Sequence, residues 1–99
     1  MKWYNYLAAF FAGLFLANFI PHFIQGITGV SFPTPFSDPP GKGLSPAYVN
    51  LLWAFFNLTA GYFLLKAGKI SRANKPAIVV CILGFIIMSF LLSYGFSHR

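Results

Sequence analysis

Negative charge is almost missing from this chain. Asp38 is the only acidic side chain in 99 residues, and charged residues of both signs make up 8%. No acidic group lies in any long apolar run, so ion-coupled transport across such a run would have to rely on His22, the sole ionisable candidate there. One carboxylate is also too few for a bound cation. Cysteine is equally scarce: Cys81 can form no intrachain disulfide and reads as a small buried side chain. The two histidines, His22 and His98, have no carboxylate fixed near them, so a nucleophile–base pair is not available. One histidine within the membrane region gives neither a bis-His haem site without dimerisation nor a zinc site, which needs three or four ligands. The chain is therefore expected to be no enzyme and to carry no metal or cofactor.

What the sequence has in abundance is apolar surface, at 58% of residues. A single small domain leaves much of its surface wet and could not hide this share in water. The apolar residues form long runs without a polar face, as lipid-facing helices do. A net charge of +6 points to no nucleic-acid partner, because the basic residues are few and sit beside the apolar runs. The lipid bilayer is the expected environment.

About 20 apolar residues cross the hydrocarbon core as a helix. Three segments qualify, at about 4–20, 47–65 and 77–94, which makes the chain an all-α, polytopic, single three-helix membrane domain. The first span has no small-x-small cleavage site before NFIPHF and is expected to be retained. It either stops near Pro21 or continues, kinked there, as far as residue 29; the continued helix is the favoured expectation. Ser45–Pro46 reads as an N-cap and first helical residue for the second span, with Lys66 and Gly68 closing it. Pro76, with Asn74 as its cap, opens the third span, and Tyr94–Gly95 is expected to close it.

The loop KAGKISRANK between spans two and three holds four of the seven basic residues. Short basic loops stay in the cytoplasm. The N-terminus is then cytoplasmic, while loop 31–46 and the C-terminus, with Lys42 and Arg99, are extracytoplasmic. Trp3, Tyr4, Tyr6 and Tyr62 mark one membrane interface, and Tyr48 and Tyr94 the other.

Helical periodicity places the polar and small residues. Asn50, Ala54, Asn57 and Gly61 share one face of span two, near Ala47, a pattern suited either to close packing or to a polar path. Ala9, Gly13 and Ala17 form a small-residue row on span one, and Gly84 lies with Ala77 and Cys81 on span three. If span one continues, Asn18, His22, Gln25 and Gly29 form a second row. Asn18 rises ~21 Å from Tyr4 and Asn50 lies ~6 Å from Pro46, so Asn18, His22, Gln25 and Asn50 are expected to cluster near the extracytoplasmic surface. The proline-rich loop covers them, stiff and extended or interfacial, with Phe32 and Phe36 turned to lipid or closing the cluster from above. Asp38 reads as a turn residue or a partner for Lys42.

The stretch NFIPHFIQGITGVSFPTPFSDPPGKGLSPAYVNLLWAFFNL resembles a group of short, functionally uncharacterised bacterial membrane proteins. The shared pattern is a His-Phe pair, a glycine pair, an FPTPF-like segment and PPGKG before an Asn-rich span. That resemblance implies a helical inner-membrane protein and no activity. Phe19-Ile20-Pro21 is similar to the kink of the SemiSWEET sugar transporters, which pair two three-helix chains. Here His22 stands where they have glutamine, span three lacks an asparagine and the first loop is long. Two functions follow as expectations. One is a non-enzymatic accessory or assembly subunit, packing in a larger membrane complex or a homo-oligomer. The alternative is a homo-oligomeric small-solute transporter or channel with a path lined by Asn18, His22, Asn50 and Asn57.

Overall fold

The computed structural model describes residues 1–98; Arg99, one of the charges counted on the extracytoplasmic side, lies outside the described residues. Three helices make up the fold: α1 (Trp3–Ile27), α2 (Ala47–Ala67) and α3 (Lys75–Ser97). All three are long and apolar enough to cross a membrane. At 1.5 Å per residue α1 is about 37 Å long, close to the 41 Å long dimension of the molecule.

α1 lies between the other two. It packs against α2 and against α3, whereas no pair of α2 and α3 Cα atoms comes within 8 Å among the described residues. Small residues make both contacts close. On the α3 side, a Cβ on Gly13 would collide with the Cys81 carbonyl, and one on Gly84 with the Phe10 carbonyl. On the α2 side, Gly61 sits against Leu16, and Gly26 against Leu51 and the Ala47 carbonyl. Ala9, Ala12, Ala17, Ala54 and Ala77 are buried in the same seams. The small-residue rows read from the sequence are thus consumed inside the chain.

α1 runs unbroken through Pro21, as the continued reading of the first span requires. It ends where Gly29 takes a left-handed φ of 74°. There Val30 N–H donates to the Gln25 carbonyl and Gly29 N–H to that of Gly26, which satisfies two terminal carbonyls. α2 ends in the same hydrogen-bond pattern, from Ile70 to Leu65 and from Lys69 to Lys66. Its left-handed residue is Lys69, with φ 56°, and not Gly68. Gly68 serves a different need: a Cβ there would lie 2.8 Å from the Ala9 Cα of the crossing helix.

Three sequence expectations need correction. Ser45 does not cap α2; Pro46 holds the cap position, and the Ser45 hydroxyl is bound instead to the Thr34 hydroxyl at 2.6 Å. α3 does not close at Tyr94–Gly95 but continues to Ser97, while Asn74 caps its start by accepting from Ala77 N–H. The proline-rich loop is not extended. It closes on itself through a two-bond antiparallel bridge between Phe32 and Ser45, at 3.0 Å each way. Inside that bridge the Thr34 carbonyl accepts from Ser37 N–H, Gly41 N–H and the Ser37 hydroxyl. With prolines removing backbone donors, this one carbonyl gathers much of what the loop has left to donate.

Candidate functional site

Two polar pairs join α1 to α2. Asn18, two turns from the end of α1, donates through Nδ2 to Asn57 Oδ1 at 3.0 Å, and Asn57 Nδ2 donates to the Trp53 carbonyl at 2.7 Å. One turn further on, His22 Nδ1 meets Asn50 Oδ1 at 2.8 Å. These are the i, i+4 row of α1 and the matching row of α2, brought face to face by the continuation of α1 past Pro21. Asn50 and Asn57 are 0% and 1% exposed, so both are sealed in the helix contact.

Asn50 is the joint between three segments. Its Nδ2 donates to the carbonyls of Phe32, Ser45 and Pro46, at 3.0, 3.2 and 3.2 Å, so it grips both strands of the loop closure and the start of α2. Three carbonyl neighbours fix which end of the amide carries nitrogen, leaving Oδ1 as the acceptor toward His22. His22 Nδ1 must therefore carry the proton. In the neutral ring Nε2 is then an unprotonated acceptor.

Aromatic rings enclose this imidazole. Phe32, Phe96 and Trp53 stand edge-on to it, with centroids 5.6, 6.2 and 6.4 Å away. His22 is 3% exposed. Its Nε2 has no hydrogen-bond partner among the described residues, yet it keeps some open surface, as does Asn18 Oδ1. The buried side-chain polar atom that lacks both partner and surface among these residues is Trp53 Nε1.

Both His22 and Asn18 line a cleft of about 480 Å³. Asn18 and His22 form its floor on α1, Trp53 stands on the α2 side, and Met88, Leu92 and Phe96 form the α3 side. The loop roofs it with Pro33, Thr34, Pro35, Pro40 and Gly41. The cleft lies where α2 and α3 stay apart on either side of α1. Its volume falls in the range of small-molecule sites, and its lining is apolar apart from a few polar groups.

Of the residues expected to cluster, Asn18, His22 and Asn50 come together, and Asn57 joins them through Asn18. Gln25 does not; it is half-buried and its side chain makes no hydrogen bond among the described residues. The two loop phenylalanines divide the roles proposed for them. Phe32, 8% exposed, closes over His22, while Phe36, 68% exposed, leans on Trp53 with ring centroids 5.3 Å apart. Asp38 and Lys42 stay exposed at the tip of the loop. Of the small residues, Ala9, Gly13, Ala17, Ala54, Gly61 and Gly84 all lie in helix seams and not at the cleft.

Three residues escaped the sequence reading. Asn5 is buried at the opposite end, where its Nδ2 donates to the Ala67 carbonyl at 2.9 Å. Its signal was there, since positions 5, 9, 13 and 17 continue one row at intervals of four. Thr34 and Trp53 carried no such signal: one is placed by the loop closure, and the other lies one turn before Asn57 in a run of large apolar residues. No protein-family model, curated protein or solved structure matches this chain.

Proposed function

We propose that the chain is a non-enzymatic integral membrane protein that works by contact, as an accessory or assembly subunit within a larger membrane complex or an assembly of its own copies. The proposed setting is the inner membrane of a bacterial cell, the membrane its resemblance implies. The basic loop between α2 and α3 keeps that end cytoplasmic, with the N-terminus on the same side.

The observation that carries this reading is the arrangement of α2 and α3 on separate sides of α1. Each buries one narrow stripe and turns large apolar side chains outward, among them Leu52, Phe56 and Phe63 on α2 and Ile82, Phe90 and Leu91 on α3. The buried asparagines, by contrast, are spent on holding the chain itself together. Because the small-residue seams are used internally, a partner meets the bulky outer faces and not a glycine row. The transporter alternative draws on Asn18 and His22 at the cleft, but Asn50 and Asn57 offer no lining to a path through this chain. Extraction from native membranes in mild detergent, with mass measurement by light scattering, tests the contact role. The expected particle contains more than one protein chain; a monodisperse single chain would overturn the proposal.

A further inference from the structure

We propose that the cleft between α2 and α3 binds a hydroxyl-bearing lipid, with its O–H donated to His22 Nε2 and its apolar chain lying along Met88, Leu92 and Phe96. The inference does not depend on the contact role above, which concerns the outer faces of the same helices.

The chemistry of the walls selects the ligand. Asn50 forces the proton of the neutral imidazole onto Nδ1, so the ring shows the cleft a lone pair at Nε2. Asn18 is committed in the same sense, because its Nδ2 is used on Asn57 and its Oδ1 keeps the open surface. Two acceptors one helical turn apart on the floor of an otherwise apolar cleft call for a donor. A hydroxyl supplies that donor without bringing a charge into the cleft. An ammonium group would carry a charge into a largely apolar lining, and a ketone or ester has no hydrogen to donate.

The surroundings select a lipid over a soluble polyol. The site lies within the length of a candidate span, His22 being five residues from the end of α1, or about 8 Å at 1.5 Å per residue. Its two sides belong to α2 and α3, both apolar enough to cross a membrane, so the surroundings offer acyl or isoprenoid chains. A sugar would strand most of its hydroxyls against Met88, Leu92, Phe96 and the loop prolines.

Two indoles are present, at Trp3 and Trp53. Trp3 is exposed near the other end of the molecule, so Trp3→Phe leaves Trp53 as a reporter in the cleft. This protein, in phosphatidylcholine nanodiscs, is titrated with farnesol and with farnesyl methyl ether, which has the same chain and no O–H. The expected result is a saturable change in Trp53 emission with farnesol and at least ten-fold weaker binding of the ether. Equal responses to the two, or no saturation with farnesol, would overturn the proposal. A second measurement leaves the cleft unaltered: with ¹⁵N-histidine and His98→Gln, farnesol is expected to move the Nε2 resonance of His22 and leave Nδ1 protonated. An unmoved Nε2 resonance refutes the bond to His22. Neither experiment alters a residue of the polar pairs, so neither can fail through loss of the fold.

Discussion

Asn50→Leu removes a side chain hydrogen-bonded to α1, the loop and the start of α2 together, and the hydrogen-bond pattern sets how much that should cost. The amide makes four contacts, but three of its partners keep another bond. The Phe32 carbonyl still accepts from Ser45 N–H and the Ser45 carbonyl from Phe32 N–H, each at 3.0 Å. The Pro46 carbonyl keeps the N–H of Val49 at 3.1 Å. Only the Nδ1–H of His22 is orphaned. A buried donor left unsatisfied costs ~1–3 kcal/mol, so the substitution is expected to destabilise by about 2 kcal/mol and to leave the loop bridge closed. His22→Phe does the converse, orphaning Asn50 Oδ1 at similar cost. Removing both partners is close to neutral for the bond itself. The double variant should therefore lose less than the sum of the two single ones, by a coupling of ~1 to 1.7 kcal/mol, the upper end of what membrane helix pairs give. Reversible unfolding in mixed micelles, run on all four proteins of the cycle, measures this. Additivity within ~0.5 kcal/mol would refute the claim that Asn50 acts chiefly through His22.

Two other perturbations probe the fold. Gly84→Ala drives a methyl group into the Phe10 backbone, which cannot step aside, whereas Gly61→Ala meets the end of the Leu16 side chain, which can. The first is expected to cost about 3 kcal/mol and loosen α3 from α1, the second under about 1 kcal/mol; equal costs in the same unfolding assay would contradict the seam geometry. Lys69→Gly relieves a left-handed backbone at a side-chain-bearing residue and should stabilise by about 0.5–1 kcal/mol, measured as a raised unfolding midpoint; a lowered midpoint would show that Lys69 has a role beyond the turn.

The three spans were legible because hydrocarbon thickness imposes a length that no other feature of the chain imitates. The Asn18–His22 and Asn50–Asn57 rows were legible for a related reason: a polar residue in an apolar helix must find a partner, and periodicity says on which face. Gln25 shows where that reasoning ends. It lies close enough in angle to share the row, but near the helix end it has water and interface to choose from, so burial is not forced on it. Gly68 shows a second limit. A glycine after a helix reads as a left-handed stop, yet here contact with Ala9 across the fold claims the position, and the stop passes to a lysine. The loop closure was illegible in a deeper sense. Which of several prolines, serines and threonines pair is decided by the Phe32–Ser45 bridge, a contact between distant positions that no local pattern encodes. The cleft was out of reach for the same reason, since it arises from two helices failing to meet.

The placement of α1 between helices with no Cα pair within 8 Å also divides the molecule's cohesion into two tiers. Among the described residues the side-chain bonds between spans run from α1 to α2, and the loop is tied to the same pair. α3 is held to them by close steric fit. Such fit decays over a fraction of an ångström, and the polar contact from Asn74 Nδ2 to the Met1 sulfur ties the start of α3 only at the rim of the bundle. The first two helices and their loop are thus the polar-bonded body of the protein, and the third is its sterically fitted side.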